Sequence, residues 1–125
     1  MKKIKIIFAN FTFQAELNES PTSKKIWEQL PLESQVSTWG EEIYFEIPVS
    51  MPQELDAQEI LSVGDLGYWP VGQAFCIFFG PTPMSTDERP RAYSPVNHLG
   101  IIIADCEGLK SIQNQEKVRL ERVYY

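Results

Sequence analysis

The chain holds one imidazole, His98, and two thiols, Cys76 and Cys106. His98 is the only ordinary general base, and on an alternating strand it faces away from Leu99 and Ile101, where it can line an external groove. A hydrogen-bonded structural histidine is the plainer assignment. Cys76 lies among Ala74, Phe75, Ile77 and Phe78, with no neighbouring base or positive charge to lower its pKa, and reads as packing. Glu41, Glu42 and Glu46 offer carboxylates. Glu42 and Glu46 fall on one face of an alternating strand, which is usually the solvated face. An acid–base enzyme using Glu42 and His98 requires the two within hydrogen-bond reach. Arg89 and Arg91, beside Tyr93 in a proline-rich loop, can grip a carboxylate or a peptide edge, with surface solubility as the plainer account.

Other chemistries lack their residues. No phosphate loop, dinucleotide fingerprint or nucleophile elbow is present, and the glycines at 64, 67 and 72 do not have those spacings. The cysteines have neither CxxC spacing nor accompanying histidines, so no metal site and no cofactor are expected. With 17 acidic and 11 basic residues and a net charge of -6, the surface should repel a phosphate backbone, which argues against nucleic acid. Lys2, Lys3 and Lys5 alternate with Ile4 and Ile6 and fit a strand with one wet face.

The apolar run after Met1-Lys2-Lys3 is cut at Asn10 and lacks a cleavage pattern, so it is not read as a signal peptide. No stretch approaches the ~20 apolar residues of a membrane span. A soluble, cytoplasmic protein without a membrane partner is expected. A reduced compartment suits a cysteine placed in the apolar run, while a Cys76–Cys106 disulfide stays open for want of distances.

The elements that must position these residues centre on Ala74 to Phe79. Six consecutive apolar residues bracketed by Gly72, Gly80 and Pro81 predict a buried strand, with Phe75, Ile77 and Phe79 on one face and Ala74, Cys76 and Phe78 on the other. A strand apolar on both faces must be covered on both. Gly64-Asp65 reads as a turn and Trp69-Pro70 as an extended lead-in. Upstream, Lys2 to Ala9 and Phe11 to Leu17 predict a hairpin. Ser20-Pro21 starts a helix that ends before Pro31, and its Ile26, Trp27 and Leu30 form a narrow apolar stripe. Gln35 to Thr38 and Glu41 to Pro48 predict strands joined at Trp39-Gly40, the second with one wet face. Residues 51–62 give no clear pattern.

Downstream, Pro81 to Pro95 is the longest candidate surface loop. A strand follows over Val96 to Ala104, with Leu99, Ile101 and Ile103 on one face. Asp105 to Gly108 turns the chain into a last strand, Lys117 to Tyr124, with Val118 and Leu120 inward. At 125 residues without repeats or linkers, one domain spanning 1–125 is expected.

The run Gly72-Gln73-Ala74-Phe75-Cys76-Ile77-Phe78-Phe79-Gly80-Pro81-Thr82-Pro83 resembles the core strand of the cyclophilins and the Pro-Thr-Pro loop after it. Leu17 through Trp27 resembles the segment around their first helix. Gly64 to Pro70, of the form Gly-Asp-x-x-Tyr-Trp-Pro, and Ser94-Pro-Val-Asn97 are more similar still to a small prokaryotic cyclophilin-like family. The resemblance implies a mainly β fold, a closed eight-stranded barrel with one short capping helix at about 21–30. Such a packed barrel has no room inside, so a site belongs on its outer face and loops.

For activity the same resemblance marks departures. Ala74 stands where the cyclophilin groove has its Gln, and Cys76 where it has a Phe. The segment that should supply the groove Arg reads Trp39-Gly40-Glu41-Glu42-Ile43, and His98 lies two positions beyond the groove His. An Arg there would hold the substrate carbonyl, which a carboxylate repels, so efficient prolyl isomerisation is not expected. The reading is a binding module whose outer groove takes a small molecule or peptide, with Glu42, Tyr44, Trp69, Phe78, Arg91 and His98 as its candidate residues. A weak prolyl isomerase in the same groove, or the Glu42–His98 enzyme, are the alternatives. A homodimer through an exposed aromatic edge is compatible with the sequence.

Overall fold

In the computed structural model, which describes residues 2–124, the alternation of Ile4 and Ile6 with lysines becomes β1 (Lys2–Ile7), both isoleucines fully buried. It pairs in a hairpin with β2 (Thr12–Leu17), whose Phe13, Ala15 and Leu17 face the same core. The helix α1 (Pro21–Gln29) begins as expected: the Ser20 hydroxyl accepts the Ser23 N–H and Pro21 occupies the first turn. Leu30, extended before Pro31, is its cap. Ile26 and Leu30 enter the main core. Trp27 packs against them, with the Lys2 ammonium and the Arg122 guanidinium 5.6 and 5.3 Å from its ring.

Next come β3 (Leu32–Gln35), β4 (Ser37–Thr38), β5 (Glu42–Glu46), β6 (Gln58–Ile60), β7 (Asp65–Trp69), β8 (Ala74–Phe78) and β9 (Arg91–Ile102). A short 3-10 helix, Glu107–Ser111, leads to β10 (Lys117–Arg122), where Val118 and Leu120 are buried. Nine strands follow the order β3-β10-β1-β2-β9-β7-β8-β5-β4, and β6 adds to the far part of β9.

The fold is thus mainly β with one helix, and the closed eight-stranded barrel is corrected to ten strands in a sheet not closed by hydrogen bonds. The reason lies at Val36, between β3 and β4. Its N–H donates to the Glu116 carbonyl at 2.8 Å, and its own carbonyl accepts the Gln115 N–H at 2.6 Å. Its backbone is engaged by the loop before β10, so the chain itself joins the sheet's two ends where no ladder does. The single strand expected over Gln35 to Thr38 is instead split at Val36, and β3 begins three residues earlier at Leu32, where the alternation is of polar and partly exposed residues.

β8 has the two apolar faces that its sequence requires. Phe75, Ile77 and Phe79 join the main core, while Ala74, Cys76 and Phe78 join Leu61, Ala92 and Val96 in a second, outer cluster. Gly64 to Trp69 is more than a turn and a lead-in. Leu66 and Tyr68 of β7 are fully buried, and the Tyr68 hydroxyl donates to the Val49 carbonyl at 2.6 Å.

The long loop is shorter than expected, since β9 starts at Arg91 rather than Val96. Residues 91–96 run beside β6, and this ribbon covers the outer face of β7 and β8. Gly67 permits the close approach: a Cβ there would lie 2.8 Å from Val96 Cγ2 and 3.3 Å from the Phe78 ring. Buried Asn97 ties the 51–62 segment to β9, donating to the Thr22 hydroxyl and Pro52 carbonyl at 3.0 Å and accepting the Glu54 N–H at 2.8 Å.

The expectation that Leu99, Ile101 and Ile103 share one face is also corrected. A register shift between Leu66 and Gly67 on β7 breaks the alternation of β9, so Leu99 and Ile102 point inward while Ile101 and Ile103 are exposed. At that shift Gly100 has φ +151° and lies where a Cβ would meet the Glu16 carbonyl oxygen at 1.8 Å.

Candidate functional site

On the outer face, alternation along β5 presents Glu42, Tyr44 and Glu46 in register with Phe78, Cys76 and Ala74 of β8. This face is not the wet one that the glutamates suggest, because the β6–β9 ribbon lies over part of it. Glu46 is exposed and Tyr44 half-buried, but Glu42 is only 6% exposed. Its backbone is fixed across the Gly40-Glu41 turn, its N–H donating to the Trp39 carbonyl and its carbonyl accepting the Trp39 N–H.

Between β5 and the β9 ribbon is a pocket of about 150 Å³, lined by Trp39, Glu42, Tyr44, Trp69, Ala92, Tyr93 and Val96. Four of its walls are aromatic rings in successive edge-to-face contact. Tyr44 and Trp69 lie 6.3 Å apart, Trp69 and Tyr93 6.2 Å, and Tyr93 and Trp39 6.0 Å between centroids. The Trp69 indole N–H donates to Ser94 Oγ at 2.6 Å, which fixes that ring against β9.

The carboxyl of Glu42 is the unusual group. Its Oε1 is buried without a hydrogen-bond partner, a condition that costs free energy in a native fold. Burial pushes its pKa up to about 7, and the Cys76 thiol beside it offsets only part of that. The thiol, wholly buried next to the carboxyl, is itself raised well above its ordinary value by burial first and the carboxylate's charge second. Such a carboxyl can carry a proton or a charge near neutral pH and can receive a donor from a bound molecule.

The remaining candidates sit elsewhere. Phe78 is fully buried in the outer cluster rather than in the pocket wall. Arg91 pairs with Glu59, Nη2 to Oε2 at 3.3 Å, while its Nε is buried without a partner. His98 lies 3.3 Å from Asp65 Oδ1 through Nε2. The Asp65 hydrogen bond raises the His98 pKa against burial. For Asp65 burial is the largest single influence and raises the pKa, but hydrogen bonds from His98 and the Ser62 N–H together hold it below its ordinary value. The structure therefore groups Glu42 with Tyr44 and Trp69, and His98 with Asp65. Both cysteines are free.

Two features of the site are not legible in the sequence: Trp39, which stands at a turn between two expected strands, and the approach of Cys76 to Glu42. The in-phase spacing of Trp69 and Asp65 carries a trace of the outer face, but the contact of Cys76 with Glu42 depends on β5–β8 register. A wider cleft of about 1260 Å³ follows the unpaired seam between β3 and β5, shares Tyr44 and Trp69, and has its Arg119 engaged by Glu33 and Glu121. Among the described residues no three His, Cys, Asp or Glu side chains gather as a metal would require, and no helix is long and apolar enough to cross a membrane.

A family model described as cyclophilin-like matches residues 2–121. The chain is also similar to the solution structure of a hypothetical protein from Archaeoglobus fulgidus, at 38% identity and a TM-score of 0.84, over 98% of this chain and 95% of that one. No curated protein matches it.

Proposed function

Since the chain belongs to the cyclophilin-like family, we propose that it is a binding module whose ligand sits in the aromatic pocket on the outer face of the sheet. One observation carries this reading: Glu42, whose carboxyl oxygen Oε1 is buried without a partner, lines a concave aromatic pocket. Concave sites with apolar walls and a few convergent polar groups are where small molecules bind. The pocket volume suits a group about the size of benzene, so a small molecule or the side chain of a peptide fits. Prolyl isomerisation gains no support from this lining, which holds no Arg, Lys or His to grip a carbonyl.

The test is a fragment screen read by thermal shift and tryptophan fluorescence. Ala92, buried in the pocket wall, is replaced by Leu to fill the space. Compounds that stabilise the wild type and fail on Ala92→Leu locate binding in the pocket. Hits that bind both proteins equally place it elsewhere.

A further inference from the structure

The lining of this pocket also selects a chemical class of ligand. Four aromatic rings line it, and the electron-rich face of such a ring attracts a cation. Its only ionisable carboxyl has one oxygen with no donor. No Lys, Arg or His stands in the lining to neutralise that carboxylate, and Arg91 on the neighbouring strand is already paired with Glu59. The net charge of -6 adds a long-range pull on cations.

We propose that the pocket is a cation site for a secondary or tertiary alkylammonium head, with Glu42 Oε1 accepting its N–H and Trp39, Tyr44, Trp69 and Tyr93 enclosing its alkyl groups. This rests on the reading of the pocket as a ligand site. The choice of head group follows from counting donors. A guanidinium brings five N–H groups and a primary ammonium three, whereas Glu42 Oε1 is the one buried side-chain acceptor of the lining without a donor. A head with one or two N–H groups leaves fewest donors unsatisfied, and its alkyl groups suit the rings. A neutral donor would leave the carboxylate's charge unpaired, and an anion would be repelled.

Protonation of Glu42 opposes the cation, so binding strengthens as pH rises. The titratable groups facing it are the Cys76 thiol from β8, the Tyr44 phenol from its own strand and the Tyr93 phenol from β9. With the carboxyl near 7, its ionised fraction grows roughly tenfold from pH 6 to 8.5, and affinity for a cation follows it.

The experiment uses trimethylammonium, which has one N–H, tetramethylammonium, which has none, and tert-butanol, a neutral molecule of similar shape. Binding is read from the three tryptophan indole N–H signals in the NMR spectrum. Trimethylammonium should shift Trp39 and Trp69 saturably, leave Trp27 on the helix unmoved, and bind at least tenfold more tightly than tert-butanol and several-fold more tightly than tetramethylammonium. Glu42→Gln should weaken it tenfold or more, and the wild-type affinity should rise about tenfold between pH 6 and 8.5. Tert-butanol binding as tightly as trimethylammonium, or an affinity flat in pH and unmoved by Glu42→Gln, overturns the cation class and leaves a binding pocket. Failure of all three probes to move Trp39 or Trp69 overturns both readings. If Glu42→Gln does not fold, Tyr93→Ala decides: this side chain is exposed, and unchanged trimethylammonium affinity on its loss overturns the proposal.

Discussion

Replacing Glu42 by Gln should make the protein more stable at alkaline pH. The folded protein holds this carboxyl at about 7 against an ordinary value of 4.5, through burial. An acid whose folded pKa is raised has no effect on stability below its unfolded pKa, where both states are protonated; it destabilises progressively as pH rises from the unfolded value to the folded one, and the penalty levels off above that. A shift of ~2.5 units at 1.36 kcal/mol per unit makes the penalty about 3 kcal/mol at pH 8.5 and below about 1 kcal/mol at pH 5. Gln is isosteric and uncharged, so Glu42→Gln removes the penalty, and the Cys76 thiol, which the carboxylate's charge also raises, stays protonated in the folded state of both proteins because burial is the larger cause of its shift. The assay is urea unfolding of both proteins at pH 5 and 8.5. The variant should gain about 2–3 kcal/mol relative to wild type on going from the lower to the higher pH, with equal denaturant slopes. A difference between the proteins that stays constant across that range would mean that Glu42 ionises normally, and the argument for a functional carboxyl would fail.

Gly100→Ala should cost more than about 3 kcal/mol or prevent folding, because the new Cβ would press on the Glu16 carbonyl at a backbone angle that side chains rarely adopt; chemical denaturation measures it, and a loss below 1 kcal/mol contradicts the close approach. The lone His98 gives a single imidazole signal whose NMR titration midpoint should lie above 6.5, as its Asp65 hydrogen bond requires. His98's contribution is full below 6.5 and lost as pH rises through its raised folded value, while Asp65's is present above 3.8 and lost as pH falls through its lowered one. His98→Ala should therefore destabilise most near pH 5–6, by up to about 1 kcal/mol for this partly buried pair, and least near pH 9; the opposite trend in urea midpoints refutes the pairing. On a panel of X-Pro peptides, cis/trans exchange should run at the rate in buffer, and an acceleration abolished by Arg91→Ala or His98→Ala would restore the isomerase reading.

Local patterning was legible from the residues alone. The period-2 runs set β1, β2, β5 and β10, Ser20-Pro21 and Pro31 bounded the helix, and the doubly apolar run from Ala74 required cover on both faces of β8, which it has. Similarity to the cyclophilin-like family was legible too, in Gly64 to Pro70 and in the run from Gly72 to Pro83. It named Glu42, Tyr44 and Trp69 as candidates without any means of bringing them together. Whether the sheet closes is set by the long-range fold, because it depends on Val36 bonding to the loop before β10, some 80 residues away. The long-range fold also decides which face of β5 is wet. Glu42 alternates with Ile43 as a solvated residue would, and only the return of β9 across the sheet, admitted by the bare backbone of Gly67, buries it among four rings beside Cys76. Burial of a charged residue is a property of what arrives from elsewhere in the chain. For that reason the group most able to do chemistry here looked, in the sequence, like an ordinary surface carboxylate.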